Sequence, residues 1–327
     1  MHQRHAEHIL VTGGAGYIGS HTIKQLVRQG RRVVALDNLC AGHREMVLCD
    51  EFVEADLTDI AAVRQAFAYY RIGAVIHFAA HTAVGESVED PEKYYRNNIV
   101  GSLNLLRAML ERDVRMIIFS SSAAVYGEPL NIPIGEEHPT APVNPYGRSK
   151  LMFEQMLSDC GDAYALSHVS LRYFNAAGSD EDGEIGEWHE PETHLIPIVL
   201  EAAAGLRPHI EIYGTDYPTE DGTGVRDYIH VDDLARAHAA ALQAVEDGYA
   251  APVYNLGIGR GYTVRQVLEA CRQVTGLEIP VVEGARRPGD PPALVADPTR
   301  ARQELDWEPQ FAELKPIVES AWRWMKG

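Results

Sequence analysis

The chain alternates short apolar runs with stretches of helical periodicity. Ile9-Leu10-Val11 suits a buried parallel strand. The run breaks at Gly13-Gly14-Ala15-Gly16, and apolar residues return at Ile18, Ile23, Leu26 and Val27, on or near one helix face. A second run over 32–36 ends in Asp37, and a third, over 51–57, carries a further acid, Asp56, at its end. A helical pattern over 60–70 leads into an apolar strand over 74–80, and a longer one over 91–112 leads into a strand over 116–120. By Leu171 the pattern has delivered six strands. Strands alternating with helices imply right-handed crossovers and a parallel sheet.

From about Asn175 the texture changes to Gly, Pro and acidic residues, the composition of ligand-contacting loops. Two stretches look like returns to the sheet. Residues 225–245 include Asp232-Asp233, suited to capping the alanine-rich helix that follows, and residues 252–256 are a short apolar run. The expected organisation is a sheet domain over 1–174 and a smaller C-terminal domain over 175–327, interleaved where residues 225–256 return. No internal repeat or low-complexity segment interrupts it.

Gly14, Gly16 and Gly19 satisfy G-x-G-x-x-G between a strand and a helix. There, glycines serve a tight turn, close approach of backbone to a pyrophosphate, and close packing of helix on strand. The phosphates would sit on N–H groups at the positive helix end. Asp37 follows Gly13 at close to the offset at which an acid binds the adenosine ribose, and an acid there selects NAD over NADP. The fold class is therefore α/β, a Rossmann-type doubly wound parallel sheet with an interleaved substrate domain, and the cofactor is NAD.

Composition narrows the partners. The 327 residues are 46% apolar and 23% charged, with 29 basic and 47 acidic side chains and a net charge of −18. That balance opposes nonspecific binding to nucleic acid or to an anionic membrane surface, so an anionic ligand needs locally placed arginines. Cys40, Cys49, Cys160 and Cys271 are scattered and read as reduced thiols, as in a cytoplasmic protein. The first residues lack the apolar stretch of a signal peptide, and no run approaches the roughly 20 apolar residues of a membrane span. His2, His5 and His8 lie on an expected frayed terminus, and no metal is expected.

The most informative chemistry lies between 120 and 150. Ser120-Ser121-Ser122 ends a strand, at the sheet edge where ligands of open α/β sheets bind. Asn144-Pro145 reads as a helix start, with Asn144 as N-cap and Pro145 at the first helical position. Tyr146 and Lys150 are then i and i+4 and share a face. A phenol with a reference pKa of about 10 is a poor base at neutral pH, but a nearby lysine ammonium and the positive nicotinamide favour the phenolate.

Thr12 to His21, Leu36-Asp37-Asn38-Leu39, SSSAAVYG over 120–127, YGRSK over 146–150 and LRYFN over 171–175 resemble the extended short-chain dehydrogenase/reductase family. YGTDYPTEDGTGVRDYIHV over 213–231 is similar to its UDP-hexose 4-epimerase branch. The resemblance covers nearly the whole chain. It implies that Gly13, Gly14, Gly16, Tyr17, Ile18 and Gly19 hold the NAD pyrophosphate. Asp37 and Asn38 would hold the adenosine side, Asp56 and Leu57 the adenine, and Phe78, Ala79, Ala80, Asn97 and Phe174 the rest of the cofactor. Ser122, Tyr146 and Lys150 would be the catalytic set, and Asn175, His194, Glu211, Ile212, Tyr213, Arg226, Arg287 and Asp290 the contacts to a UDP-sugar. Family dehydratases and decarboxylases carry an acid just after the strand-end Ser/Thr. Here Ala123 and Ala124 follow Ser122, which limits the chemistry to oxidation and reduction at C4.

The chain departs from the pattern at three places. Thr82 stands where many members have lysine, His194 where some have asparagine, and Leu294 at a gate where tyrosine excludes N-acetylated sugars. Acceptance of UDP-GlcNAc and UDP-GalNAc is thus open. An NAD-linked nucleotide-sugar dehydrogenase or reductase, and an epimerase for another UDP-sugar such as a pentose, are the alternatives. Leu103, Leu106 and Met109, with Leu151, Met152 and Met156, are apolar residues on helices through which family members dimerise, so a homodimer is expected.

Overall fold

A computed structural model of the chain describes residues 7–287 and 289–327; His2 and His5 lie outside them. Six strands come first: β1 (His8–Thr12), β2 (Val33–Asp37), β3 (Glu51–Glu54), β4 (Ile72–His77), β5 (Met116–Ser120) and β6 (Ser167–Tyr173). The second half adds β7 (Asn175–Ala177), β8 (Ile210–Tyr213), β9 (Val225–His230), β10 (Val253–Leu256), β11 (Gly261–Thr263), β12 (Val281–Gly284) and β13 (Ala293–Leu294). The main sheet runs β10-β6-β5-β4-β1-β2-β3 and is parallel throughout. Its order reverses at β1, next to β4, the switch point that opens a ligand crevice at the carboxyl ends of the strands. This is the Rossmann-type α/β fold.

Alternate residues on each strand serve opposite faces. Ile9 and Val11 pack with Ile23 and Leu26 of α1 (Tyr17–Arg28) and with Leu234, Ala237 and Ala241, whereas Leu10 packs with Val63, Leu105, Leu106, Met109, Phe153 and Leu157. These latter residues come from α2 (Ile60–Tyr69), α5 (Ser102–Glu111) and α6 (Pro145–Tyr164), which cover the second face. Both sheet faces are therefore dry, which is why the strands read as continuous apolar runs.

The expected helix over 91–112 is helical but not uniform. Short helices α3 (Val84–Glu89) and α4 (Pro91–Tyr95) lead into a π-helical turn at Arg96–Gly101 before α5. Leu106 and Met109 on α5 are sealed inside the core, so they offer nothing to a partner chain; Met152, by contrast, is exposed. The remaining helices are α7 (Leu195–Ala203), α8 (Val231–Asp247), α9 (Val264–Thr275), α10 (Thr299–Glu304) and α11 (Leu314–Lys326). Helix α8 packs beside α1, and β10 forms the edge of the main sheet. The strand β9 pairs instead with β7, β11 and β13, beside a second core built from α7, α9 and α11.

Two local expectations are corrected. The cap of α8 is His230, whose ring Nδ1 accepts from the Asp232 amide at 3.1 Å. Asp233 turns away from that role and accepts from the Gln310 and Phe311 amides at 2.7 and 3.0 Å, tying down the chain before α11. His8 is not frayed: it opens β1 and packs edge-on against Tyr70, with ring centroids 5.5 Å apart. Among the described residues no helix is long and apolar enough to cross a membrane.

Candidate active site

The carboxyl ends of the main strands open on a single large cavity of about 1240 Å³. Pockets for one drug-sized ligand run to roughly 300–1,000 Å³, so this space exceeds what a single small ligand needs. Residues at or just beyond the carboxyl ends of β1, β2, β3, β4, β5 and β6 all reach its wall, and β8, β9 and β13 close the far side.

On the first wall, Gly13 has φ +72°, and a Cβ there would lie 2.6 Å from the Ala79 amide nitrogen. A Cβ on Gly19 would lie 2.1 Å from the Gly13 carbonyl oxygen, so helix and strand can pack this closely only through glycine. Gly14 does not line the cavity. Its place against Ala35 and Ile23 is a packing role, and the turn expected of it belongs to Gly13. Helix α1 opens at Gly16 with neither a capping side chain nor an acid in its first turn. Its positive end therefore faces the cavity through Gly16, Tyr17, Ile18 and Gly19.

Asp37 supports this turn from behind. It accepts from the Ala15 amide at 3.0 Å and the Leu39 amide at 2.8 Å; burial raises its pKa and the amides pull it back. Asn38 donates to Asp56 at 2.9 Å, and Leu57, Phe78, Ala79, Ala80, Asn97 and Phe174 complete the wall. Crowded glycines, a bare helix end and an acid at the end of β2 together fit a dinucleotide. The π turn adds a residue that the periodicity concealed. Asn98 accepts from the His81 amide at 2.8 Å and donates to Ser149 at 3.1 Å, joining this wall to α6.

Helix α6 starts as its sequence predicts, with the Asn144 side chain accepting from the Gly147 amide at 2.8 Å and Pro145 in the first turn. This start brings Tyr146 and Lys150 to the cavity beside Ser122. Burial raises the Tyr146 pKa, and a hydrogen bond with Ser122 acts against it. Lys150 Nζ lies 5.8 Å from the Tyr146 ring centroid and donates to the Ser120 carbonyl at 2.8 Å. Burial brings the Lys150 pKa down to about 7, with Glu154 opposing.

Glu154 and Arg172 were not anticipated. They form a buried two-point ion pair, Nε to Oε1 at 2.9 Å and Nη2 to Oε2 at 2.5 Å, and Ser121 donates to the same carboxylate. Arg172 also donates to Tyr126 at 3.0 Å, whose hydroxyl donates to Asn255 at 2.7 Å. Glu154 lies one turn beyond Lys150 on the same helix face, which is the signal that could have found it.

The second wall carries Asn175, His194, Glu211, Tyr213, Arg226, Arg287, Asp290 and Leu294, with Thr82 reaching the same space. Ile212 does not belong to it. Strand alternation turns it into the second core at 1% exposure, while Glu211 and Tyr213 face out. Arg226 is paired with Asp290, and the Arg287 guanidinium lies 3.8 Å from the Tyr213 ring centroid. Burial works against a charge on His194, but Glu187 and Glu192 outweigh it and raise its pKa to about 10. Its charge is thus steadier than the residue type alone suggests. Beneath Arg226, buried Asp227 accepts from the Ile258, Gly259 and Ala296 amides at 2.9, 3.0 and 3.2 Å and fixes β9 against two other segments. Its pKa is pushed up to about 6 by burial, against those amides.

The chain matches the model of the NAD dependent epimerase/dehydratase family over residues 9–257. It is 52% identical over 318 residues to the UDP-glucose 4-epimerase of Halalkalibacterium halodurans, covering 97% of this chain and 95% of that protein. Among solved structures it is similar to UDP-glucose 4-epimerase from Brucella ovis in complex with NAD, with a TM-score of 0.95 at 50% identity over 97% of this chain and 98% of that one. The Bifidobacterium longum UDP-glucose 4-epimerase in complex with NAD+ and UDP superposes with a TM-score of 0.93 at 42% identity, covering 98% of each chain. The chain belongs to the NAD dependent epimerase/dehydratase family.

Proposed function

We propose that this chain interconverts UDP-galactose and UDP-glucose by reversible epimerisation at C4, using tightly held NAD and passing through a 4-keto sugar. The observation that carries this reading is the meeting of Ser122, Tyr146 and Lys150 in the same cavity as the Gly13–Gly19 turn. The named activity of its relatives supports the isomerase over a net dehydrogenase.

Residues up to 174 hold the cofactor and residues 175–327 the UDP-sugar, with α8 and β10 returning to the first unit while β9 stays with the second. Gly13, Gly16, Tyr17, Ile18 and Gly19 bind the cofactor diphosphate, with Asp37, Asn38, Asp56 and Leu57 on the adenosine side. Bound NAD supplies a hydride acceptor, and later a donor, at C4, together with a positive charge while oxidised. Tyr146 takes the proton of the sugar 4-hydroxyl, directly or through Ser122, and returns it at the end of the cycle. Lys150 supports the phenolate electrostatically. Ala123 and Ala124 offer no acid for elimination. Arg226 and Arg287 neutralise the substrate diphosphate by charge-assisted hydrogen bonds in an otherwise acidic protein. Leu294 leaves room for an N-acetyl group, and the chain works as a homodimer in the cytoplasm.

The test is to incubate purified protein, with no cofactor added, with UDP-galactose, following both the sugars and the absorbance of reduced nicotinamide. Conversion to UDP-glucose without net reduction is expected. Stoichiometric accumulation of reduced cofactor would instead identify a dehydrogenase.

A further inference from the structure

Glu187, His189, Glu192 and His194 converge at the edge of the cavity, each offering one ligand atom, and these four atoms lie within 4.8 Å of one another. His194 Nδ1 is 2.6 Å from Glu187 Oε1 and 3.3 Å from Glu192 Oε1; His189 Nδ1 is 3.4 Å from Glu187 Oε1 and 3.6 Å from Glu192 Oε2. Each imidazole nitrogen thus faces two carboxylates, although one N–H can be directed at only one. The Glu187 side chain is 5% exposed, and neither its Oε1 nor the His189 Nδ1 has a well-directed hydrogen bond, although His194 Nδ1 lies only 2.6 Å from that oxygen. Buried polar atoms of this kind call for an explanation, and a bound ion is one of the few available.

Tetrahedral coordination at about 2.1 Å sets donor separations of about 3.4 Å; three of the four contacts lie at 3.3–3.6 Å, and the fourth, His194 Nδ1 to Glu187 Oε1, is shorter at 2.6 Å. We propose that these four residues form a binding site for one divalent transition-metal ion of the zinc class. Two neutral imidazoles and two carboxylates balance its charge, and the nitrogen donors disfavour calcium and magnesium, which take oxygen ligands. Protons compete for the same atoms, since the carboxylates raise the pKa of His189 to about 9 and of His194 to about 10 against burial.

The site would act as a clasp. The His189 ring packs edge-on against Tyr17 of the glycine-rich turn at 6.1 Å, Trp188 stacks on His43 at 3.7 Å, and His194 is the N-cap of α7. A cation here would therefore fix the shape of the 187–194 segment, which already contacts the glycine-rich turn and leads into α7. This inference does not depend on the identity of the sugar or on the epimerase reading.

The test uses the full chain, stripped with a chelator, dialysed against micromolar Zn2+ and assayed for metal. Uptake of about one equivalent per chain is expected, with a higher unfolding temperature in Zn2+. His189→Ala combined with Glu187→Gln should lower uptake at least about tenfold, consistent with losses seen when metal-site partners are removed. Cooperative unfolding and retained NAD establish that this variant is folded. Co2+ in place of Zn2+ should give the visible bands of a tetrahedral nitrogen and oxygen site in the original chain; these bands test the site should the variant fail to fold. Absence of uptake by the original chain, absence of those bands, or undiminished uptake by a folded variant would each overturn the proposal.

Discussion

The two walls of the cavity are built in opposite ways. The cofactor wall is largely a local device: one strand, four glycines within seven residues and one helix start put backbone amides at its centre, and the Gly19–Gly13 approach that closes it is between near neighbours in sequence. The sugar wall is assembled from side chains on separate segments between Asn175 and Leu294, held together by long-range contacts such as the three amides that converge on Asp227. The first wall depends on backbone shape and the second on the placement of charges. Tyr146, on α6, stands between them and belongs to the chemistry of both.

The largest effect should therefore come at that junction. Tyr146→Phe removes the proton acceptor while keeping the ring, and kcat should fall about 10²- to 10⁴-fold, the usual contribution of a general base. Retained NAD should be unchanged, as measured by cofactor released on denaturation. If kcat dropped less than about tenfold, another group would be the base.

The same contrast explains what could be read in advance. The glycine turn, the Asn144 cap and the Tyr146–Lys150 spacing depend on residues at most a few positions apart, so their geometry is written in the sequence pattern. Asp227 could not be recognised, because its partners at 258, 259 and 296 are brought to it only by folding. Leu106 and Met109 fill the core and not an interface; periodicity says that a residue faces something apolar without saying what, and here it is α2 and the sheet. The π turn escaped for a related reason, since a residue added to a helical turn leaves no compositional mark, yet it aims Asn98 at His81 and Ser149. The Glu187 to His194 cluster is close in sequence, but only the path of the folded segment turns its four donors toward one point.

Next in size, Gly19→Ala attacks the cofactor wall alone. Its methyl would meet a backbone carbonyl that cannot move without opening the turn at Gly13. The purified variant should lose most of its bound NAD and regain activity only with cofactor added in excess. Full retention of NAD would show that the turn is more pliant than its packing indicates.

Arg287→Ala attacks the other wall, and should do so without disturbing the first. A hydrogen bond to a charged group is worth about 1.5–3 kcal/mol, so KM for UDP-galactose should rise about 10- to 100-fold with kcat and bound NAD little changed. A matching fall in kcat would mean that the guanidinium acts in the chemical step as well, and the division between the walls would weaken.

The smallest effect tests selectivity within the sugar wall. Leu294 stands on β13, beside Arg226 in register, and lines the cavity. Replacing it with tyrosine fills space without removing a charge or a hydrogen bond. Activity on UDP-galactose should change little, whereas activity on UDP-GalNAc should fall by about tenfold, the low end of what one added group in an apolar pocket can discriminate. The informative quantity is the ratio of kcat/KM for the two sugars, because it cancels any general damage to folding or NAD binding. An unchanged ratio would remove Leu294 as the gate. It would also move selectivity to the charged residues, so that the sugar wall would choose its ligand by the same groups that hold it.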